Sequence, residues 1–92
     1  MSPSERAELE AEAALVVDEC LLGGAESSLV DIWLEWRRRG GPRRKQRGLP
    51  LVHRVLNRLV RDGRVEAVEA DPARGTRGPR RYYRRSWRQV GT

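Results

Sequence analysis

The stretch LPLVHRVLNRLVRDG, residues 49–63, decides the fold class of this 92-residue chain. Its apolar residues recur at intervals of three and four, which is the spacing of one face of an α-helix. Gly63 predicts the end of the helix, because glycine readily adopts the left-handed conformation that closes a helix. We therefore predict an amphipathic helix over about residues 49–62, whose buried stripe consists of Val52, Val55, Leu56, Leu59 and Val60.

The side of this helix opposite the apolar stripe carries three arginines, an asparagine and a histidine, and its only acid, Asp62, stands at the end. A polar face that is merely solvated ordinarily mixes both charge signs. In the major groove of DNA, arginine pairs with guanine edges and asparagine with adenine edges. The pattern therefore predicts that base edges are contacted by Arg54, Asn57, Arg58 and His53.

Two further helical patterns precede this segment. The first runs over about residues 3–22, between a Ser-Pro start and a Gly-Gly stop. The second runs over about residues 28–39, with Ser27 and Ser28 as candidate caps. Its core stripe is predicted to be Leu29, Ile32, Trp33 and Trp36. Residues 43–48, which contain no apolar residue, are predicted to form a basic loop.

Beyond Gly63 the apolar period changes from that of a helix to that of a strand. Val65 and Ala67 alternate with Glu66 and Val68, and a second strand-like stretch, RRYYRRSW, follows a turn-rich segment. We predict a β-hairpin over about residues 64–87. The predicted fold is α+β and mainly α, with three helices followed by a two-stranded hairpin, in one domain over residues 1–92.

Charge divides the chain near residue 36. Residues 1–36 hold nine acids and one base, for a net charge of −8, and residues 37–92 hold eighteen bases and four acids, for +14. All bases but Lys45 are arginines. Because arginine can fork two donors onto a phosphate or a guanine edge, the basic part favours a nucleic-acid partner.

The order of helices, hairpin and arginine-bearing loop is that of a winged helix-turn-helix. Residues 55–63, VLNRLVRDG, resemble the end of the recognition helix in PadR-like transcriptional regulators, with MarR-like regulators as second choice. Residues 78–84, GPRRYYR, resemble the second wing strand of PadR-like proteins. The resemblance spans about residues 9–87. It implies a third helix that enters the major groove and a wing that contacts backbone or minor groove.

These observations predict a small bacterial transcriptional regulator that binds double-stranded DNA in a sequence-specific manner. DNA-backbone contacts are predicted for Arg43, Arg44, Lys45, Arg47 and Arg61. Wing contacts are predicted for Arg74, Thr76, Arg77 and Arg80. One alternative is an accessory protein of ribosome or nucleoid that binds RNA or DNA without sequence choice. Another is a protein-interaction winged helix whose acidic first helix docks on a basic partner.

Other functional classes are not expected. The sequence has no phosphate-binding loop, nucleophile pair or convergent carboxylates, so we expect no enzyme activity, no cofactor and no metal site. No apolar run is long enough to span a membrane, and we expect a cytoplasmic, nucleoid-associated protein without a signal peptide or an inferable small-molecule ligand. The wide apolar face of the first helix predicts a homodimer contact around Leu15, Val16 and Leu22; the equal alternative is that more than one side of this helix is buried in a small core.

Overall fold

The structure, a computed structural model, describes residues 2–69 and 81–86 of the chain. Within these residues three helices are followed by a two-stranded antiparallel hairpin, which confirms the predicted fold class and gives the layout of a winged helix-turn-helix. The elements are α1 (Pro3–Cys20), α2 (Leu29–Arg38), α3 (Lys45–Arg61), β1 (Val65–Glu69) and β2 (Arg81–Arg85).

The helix beginnings follow their local sequence. The Ser2 hydroxyl accepts a hydrogen bond from the Glu5 amide at 3.2 Å and caps α1. At α2 the caps are reciprocal, because the Asp31 amide donates to the Ser28 hydroxyl at 3.1 Å and the Ser28 amide donates to the Asp31 carboxylate at 3.4 Å. This capping box satisfies two amides that would otherwise lack partners at the start of the helix.

The end of α3 is closed by Gly63, as predicted. Its φ of 78° lies in the left-handed region. The Gly63 amide donates to the Val60 carbonyl at 3.1 Å, and the Arg64 amide donates to the Leu59 carbonyl at 2.9 Å. This pair of bonds is a Schellman motif, which turns the chain directly from helix into β1.

The predicted basic loop over residues 43–48 is wrong over most of its length, because α3 begins at Lys45 and has Arg44 as its N-cap. The Gly48 amide donates to the Arg44 carbonyl at 3.0 Å and starts the helical ladder. Apolar periodicity could not reveal this turn, since its inward-facing residue is the buried Gly48, which has no side chain. The first helix also ends earlier than predicted, at Cys20 rather than residue 22.

All three helices and both strands contribute to one core cluster. Trp36, Leu21, Ile32 and Leu56 are among the largest fully buried side chains. The rest of the buried apolar set comprises Ala13, Val16, Val17, Trp33, Leu51, Val52, Val55, Val65 and Tyr83. Most of the predicted α2 and α3 stripes therefore face the core, although Leu29 and Leu59 are half-buried and Val60 is exposed.

The core side of α1 differs from the predicted dimer face. Val16 is only 4% exposed and lies in the core, so it is not available to a second copy. Leu15 and Leu22 remain exposed, at 67% and 61%. The reason is geometric, since α1 packs against both α2 and α3, which agrees with the alternative that more than one side of this helix is buried.

The hairpin pairs in a single antiparallel register, with Val65 opposite Arg85 and Ala67 opposite Tyr83. Only the beginning of β1 enters the core, because Val65 is buried whereas Ala67 on the same side of the strand is exposed. A further contact ties the hairpin to the helices. The Ser27 amide donates to the Tyr83 carbonyl at 3.0 Å, and the Tyr83 amide donates to the Ser27 carbonyl at 2.8 Å.

Candidate nucleic-acid interface

The outward side of α3 carries the side chains that the sequence predicts to contact bases. Together with two further exposed residues of α3, these side chains line a shallow depression on the protein surface. We call the set the α3 polar face; it consists of Pro50, His53, Arg54, Asn57, Arg58 and Arg61. The structure therefore brings the four predicted base-contacting residues together on one surface.

Glu10 of α1 enters this depression, which sequence reasoning did not anticipate. One of its carboxylate oxygens lies 3.4 Å from Nη1 of Arg54, and the other lies 3.5 Å from Nη2 of Arg58. The side chain of Glu10 is only 14% exposed, against 55% and 59% for the two arginines. A signal for this position exists in the sequence, because Glu10 continues the helical spacing of Ala13, Val17 and Leu21 toward the N-terminus.

His53 and Asn57 form the other contact within the α3 polar face. Nδ2 of Asn57 lies 3.4 Å from Nε2 of His53, one turn away on the helix. His53 also lines a neighbouring depression with Glu69 and Arg81 at the described end of the hairpin. His53 therefore stands between the α3 polar face and the hairpin.

A second group of cations surrounds the beginning of α3. Arg43, Arg44, Lys45 and Arg47, which we call the N-terminal cation cluster, are all exposed. None of them forms an ion pair with a side chain that the structure describes. The first turn of α3 also contains no acid. Cations at the positive end of a helix dipole are unfavourable for the helix itself. Glu5, Glu8 and Glu12 of α1 line one depression with Arg43, Arg44 and Arg47, so acids lie beside the cluster without forming an ion pair with it in the described part of the chain.

Two tryptophans of α2 join this helix to its neighbours, Trp33 to the segment before the cluster and Trp36 to α1. The Trp33 indole donates to the Pro42 carbonyl at 3.0 Å, and the Trp36 indole donates to the Glu12 carboxylate at 3.4 Å. The helix backbone passes close to Trp33, since a Cβ at Gly48 would lie 2.2 Å from the indole Cδ1. Gly48 therefore permits the close crossing of α2 and α3.

Arginines at the end of α2 differ from the cluster because they are paired. Arg39 forms ion pairs with Glu19 of α1 and with Glu35, the latter at 2.8 Å. Arg38 also pairs with Glu35, at 2.9 Å. Hydrogen bonds from Arg39 and then Arg38 lower the pKa of Glu35 below its ordinary value. The neighbouring Arg37 lies over the Trp33 ring, 5.6 Å from its centroid.

The hairpin arginines are also engaged with acids. Arg85 pairs with Asp18 of α1. Arg84 lies 3.2 Å from Glu66 on the opposite strand and 3.6 Å from Glu26. The wing residues predicted to contact DNA, namely Arg74, Thr76, Arg77 and Arg80, lie outside the described residues.

The described part of the chain contains no group of three or more His, Cys, Asp or Glu side chains that could hold a metal ion. Among the helices described, none is both long and apolar enough to cross a membrane. Cys20 is half-buried at the edge of the core, and burial, followed by the charge of Glu35, raises the pKa of its thiol.

Comparison of the chain with protein-family models, curated proteins and solved structures found no match. The resemblance to PadR-like regulators therefore stays a prediction.

Proposed function

We propose that this protein binds double-stranded DNA in a sequence-specific manner and regulates transcription. The observation that carries the proposal is the α3 polar face, which presents three arginines, an asparagine and a histidine on one exposed helix surface. Arginine and asparagine are the side chains whose donor and acceptor groups pair with guanine and adenine edges in the major groove. Cytoplasmic, nucleoid-associated location and the absence of enzyme activity belong to the same proposal.

The dimensions of α3 agree with docking in a major groove. Its 17 residues span about 25 Å at 1.5 Å per residue. The width of an α-helix with side chains matches the ~12 Å width of the major groove. In this docking mode Arg54, Asn57 and Arg58 contact bases, with His53 beside them toward the hairpin.

The N-terminal cation cluster supplies the phosphate contacts in this proposal. Four exposed cations without described ion pairs stand at the positive end of the α3 dipole. Phosphates are favoured both by such cations and by the unpaired amides of a helix beginning. DNA binding therefore accounts for an arrangement that is unfavourable for the isolated helix.

We further infer that two copies bind together through α1, since two winged helices one helical turn apart read more base pairs than one. The exposed Leu15 and Leu22 support this contact. Light scattering is expected to show a dimer on DNA for the natural chain and a monomer for Leu15→Glu. Leu34→Glu, at an exposed leucine of α2, is the matched control. A natural chain of 10.5 kDa without DNA that adds only one chain mass to each duplex contradicts the dimer.

The alternative of an acidic docking helix receives less support from the contacts. Several acids of α1 already have partners inside the protein, since Glu10, Asp18 and Glu19 pair with arginines.

The alternative of nucleic-acid binding without sequence choice is distinguished from the proposed function by experiment. Phosphate contacts alone give no preference for one sequence over another.

The test is selection of a preferred duplex from genomic or random DNA, followed by affinity measurements on that duplex and on random DNA at fixed salt. Arg54→Ala is expected to lose about 1–3 kcal/mol on the preferred duplex and to flatten the preference at one or two base pairs. Arg6→Ala, which removes the same charge from an exposed position on α1, is the control. Equal losses on both kinds of DNA would favour the non-specific alternative.

A further inference from the structure

Glu10 is a carboxylate inside a surface that is otherwise suited to bind an anion. Its side chain is more buried than those of Arg54 and Arg58, with which it forms ion pairs. Each of its two carboxylate oxygens faces a different one of these arginines. An acid so close to DNA repels the phosphate backbone. Its placement is therefore unfavourable for affinity, and it calls for a different explanation.

Pairing with Glu10 still leaves both arginines able to bind bases. A guanidinium group presents five N–H donors, and the contact to Glu10 involves one nitrogen of each arginine, Nη1 of Arg54 and Nη2 of Arg58. The exposed side of each group remains available for a second acceptor. Because arginine is long and flexible, a contact that restrains it before binding reduces the entropy that base recognition has to offset.

The same contact reduces attraction to DNA of any sequence. Glu10 offsets one of the two positive charges that Arg54 and Arg58 bring to the α3 polar face. A protein that neutralises fewer phosphates binds random DNA more weakly and with a shallower dependence on salt. Specificity is the ratio of two affinities, so weakening the random complex raises it.

We propose that Glu10 is a specificity-determining residue of the α3 polar face, which restrains Arg54 and Arg58 for base recognition and suppresses their binding to phosphates of random DNA. This inference rests on the proposed DNA-binding function. It assigns to α1 a part in recognition, although α1 itself is not the helix that enters the groove.

The experiment compares Glu10→Gln with the natural chain on the selected preferred duplex and on random duplex of equal length. We expect the affinity for random DNA to rise about 3- to 10-fold, with a salt slope steeper by about 0.9, because one more phosphate is neutralised. The affinity for the preferred duplex is expected to change little, because the lost restraint of Arg54 and Arg58 offsets the gained attraction to phosphates. The ratio of specific to random affinity is therefore expected to fall by a similar factor. A merely structural role of Glu10 would move neither the ratio nor the slope in this way.

Glu19→Gln is the matched control, because Glu19 also lies on α1 and pairs with an arginine, but at the end of α2 instead of on α3. It is expected to leave the ratio unchanged. Urea unfolding checks that both variants are folded. Should Glu10→Gln fail to fold, Glu10→Asp is the second variant. It keeps the negative charge, but its shorter side chain moves the carboxylate away from Arg54 and Arg58. We expect it to lower the ratio of specific to random affinity without raising the affinity for random DNA.

The outcomes separate this inference from the proposed function. A natural chain that prefers one duplex, together with a Glu10→Gln variant whose ratio is unchanged or higher, overturns the role of Glu10 alone. A natural chain without any sequence preference overturns the proposed function, and the role of Glu10 with it. A fall in the ratio for Glu10→Gln but not for Glu19→Gln supports both.

Discussion

Cations at the end of α2 and at the beginning of α3 stand only a few residues apart in the chain, yet their surroundings differ. Arg38 and Arg39 pair with Glu35, and Arg39 also reaches Glu19. The N-terminal cation cluster forms no such pair within the described residues. Acids lie near both groups, since Glu5, Glu8 and Glu12 line one depression with Arg43, Arg44 and Arg47, but only the first group forms ion pairs in the described part of the chain. Ion pairing, which the sequence does not reveal, therefore distinguishes two groups within one run of bases.

The largest expected effect concerns the glycine that positions the cluster. Gly48→Ala is expected to lower the free energy of unfolding by about 2–3 kcal/mol, because its Cβ would lie 2.2 Å from the buried Trp33 ring, whose indole is held by Pro42. Urea unfolding measures the loss. Gln46→Ala in the same turn is exposed and serves as the control. A fully stable Gly48→Ala variant would mean that the cluster is not held by this crossing.

A charge-matched pair of variants tests the comparison directly. The double variant Arg44→Gln and Arg47→Gln is expected to reduce the slope of log affinity against log salt by about two units, because two phosphate contacts are lost. The double variant Arg38→Gln and Arg39→Gln removes the same charge from the paired arginines and is expected to leave the slope nearly unchanged. Equal slopes in the two double variants would abolish the distinction between paired and available cations.

The smallest expected effect is the pH dependence contributed by the paired group. Since the pKa of Glu35 is lowered from 4.5 by Arg39 and Arg38, its ionised form stabilises the fold above pH 4.5, and this stabilisation is lost as the pH falls through the lowered pKa. The stability difference between the natural chain and Glu35→Gln is therefore expected at neutral pH and not in acid. Salt should weaken it, as expected for exposed ion pairs. A difference that persists at low pH would indicate another origin.

Charge segregation along the chain also has an explanation that composition does not reveal. The acidic α1 pairs with arginines 20 to 67 residues away in the sequence, including Arg39, Arg54 and Arg85. Part of the segregation therefore stabilises the packing of α1 against the rest of the protein. The α3 polar face and the N-terminal cation cluster hold the part of the positive charge on which the proposed nucleic-acid partner rests.

Local sequence determined much of this protein. The serine caps and the closing Gly63 act within a few residues, and the apolar periods of α3 and β1 can be read from the order of the residues. For that reason the three helices, the hairpin and the α3 polar face were predictable. The first turn of α3 was not, because its buried residue is a glycine that gives no apolar signal.

Tertiary structure alone decided which charges and apolar groups find partners. Val16 is buried while Leu15 is exposed, because the arc of α1 covered by α2 and α3 depends on how the helices cross. Glu10 reaches Arg54 and Arg58 for the same reason, since this contact joins residues more than forty positions apart. Ion pairs between distant elements depend on how the helices cross, and this geometry determines which cations are paired within the protein.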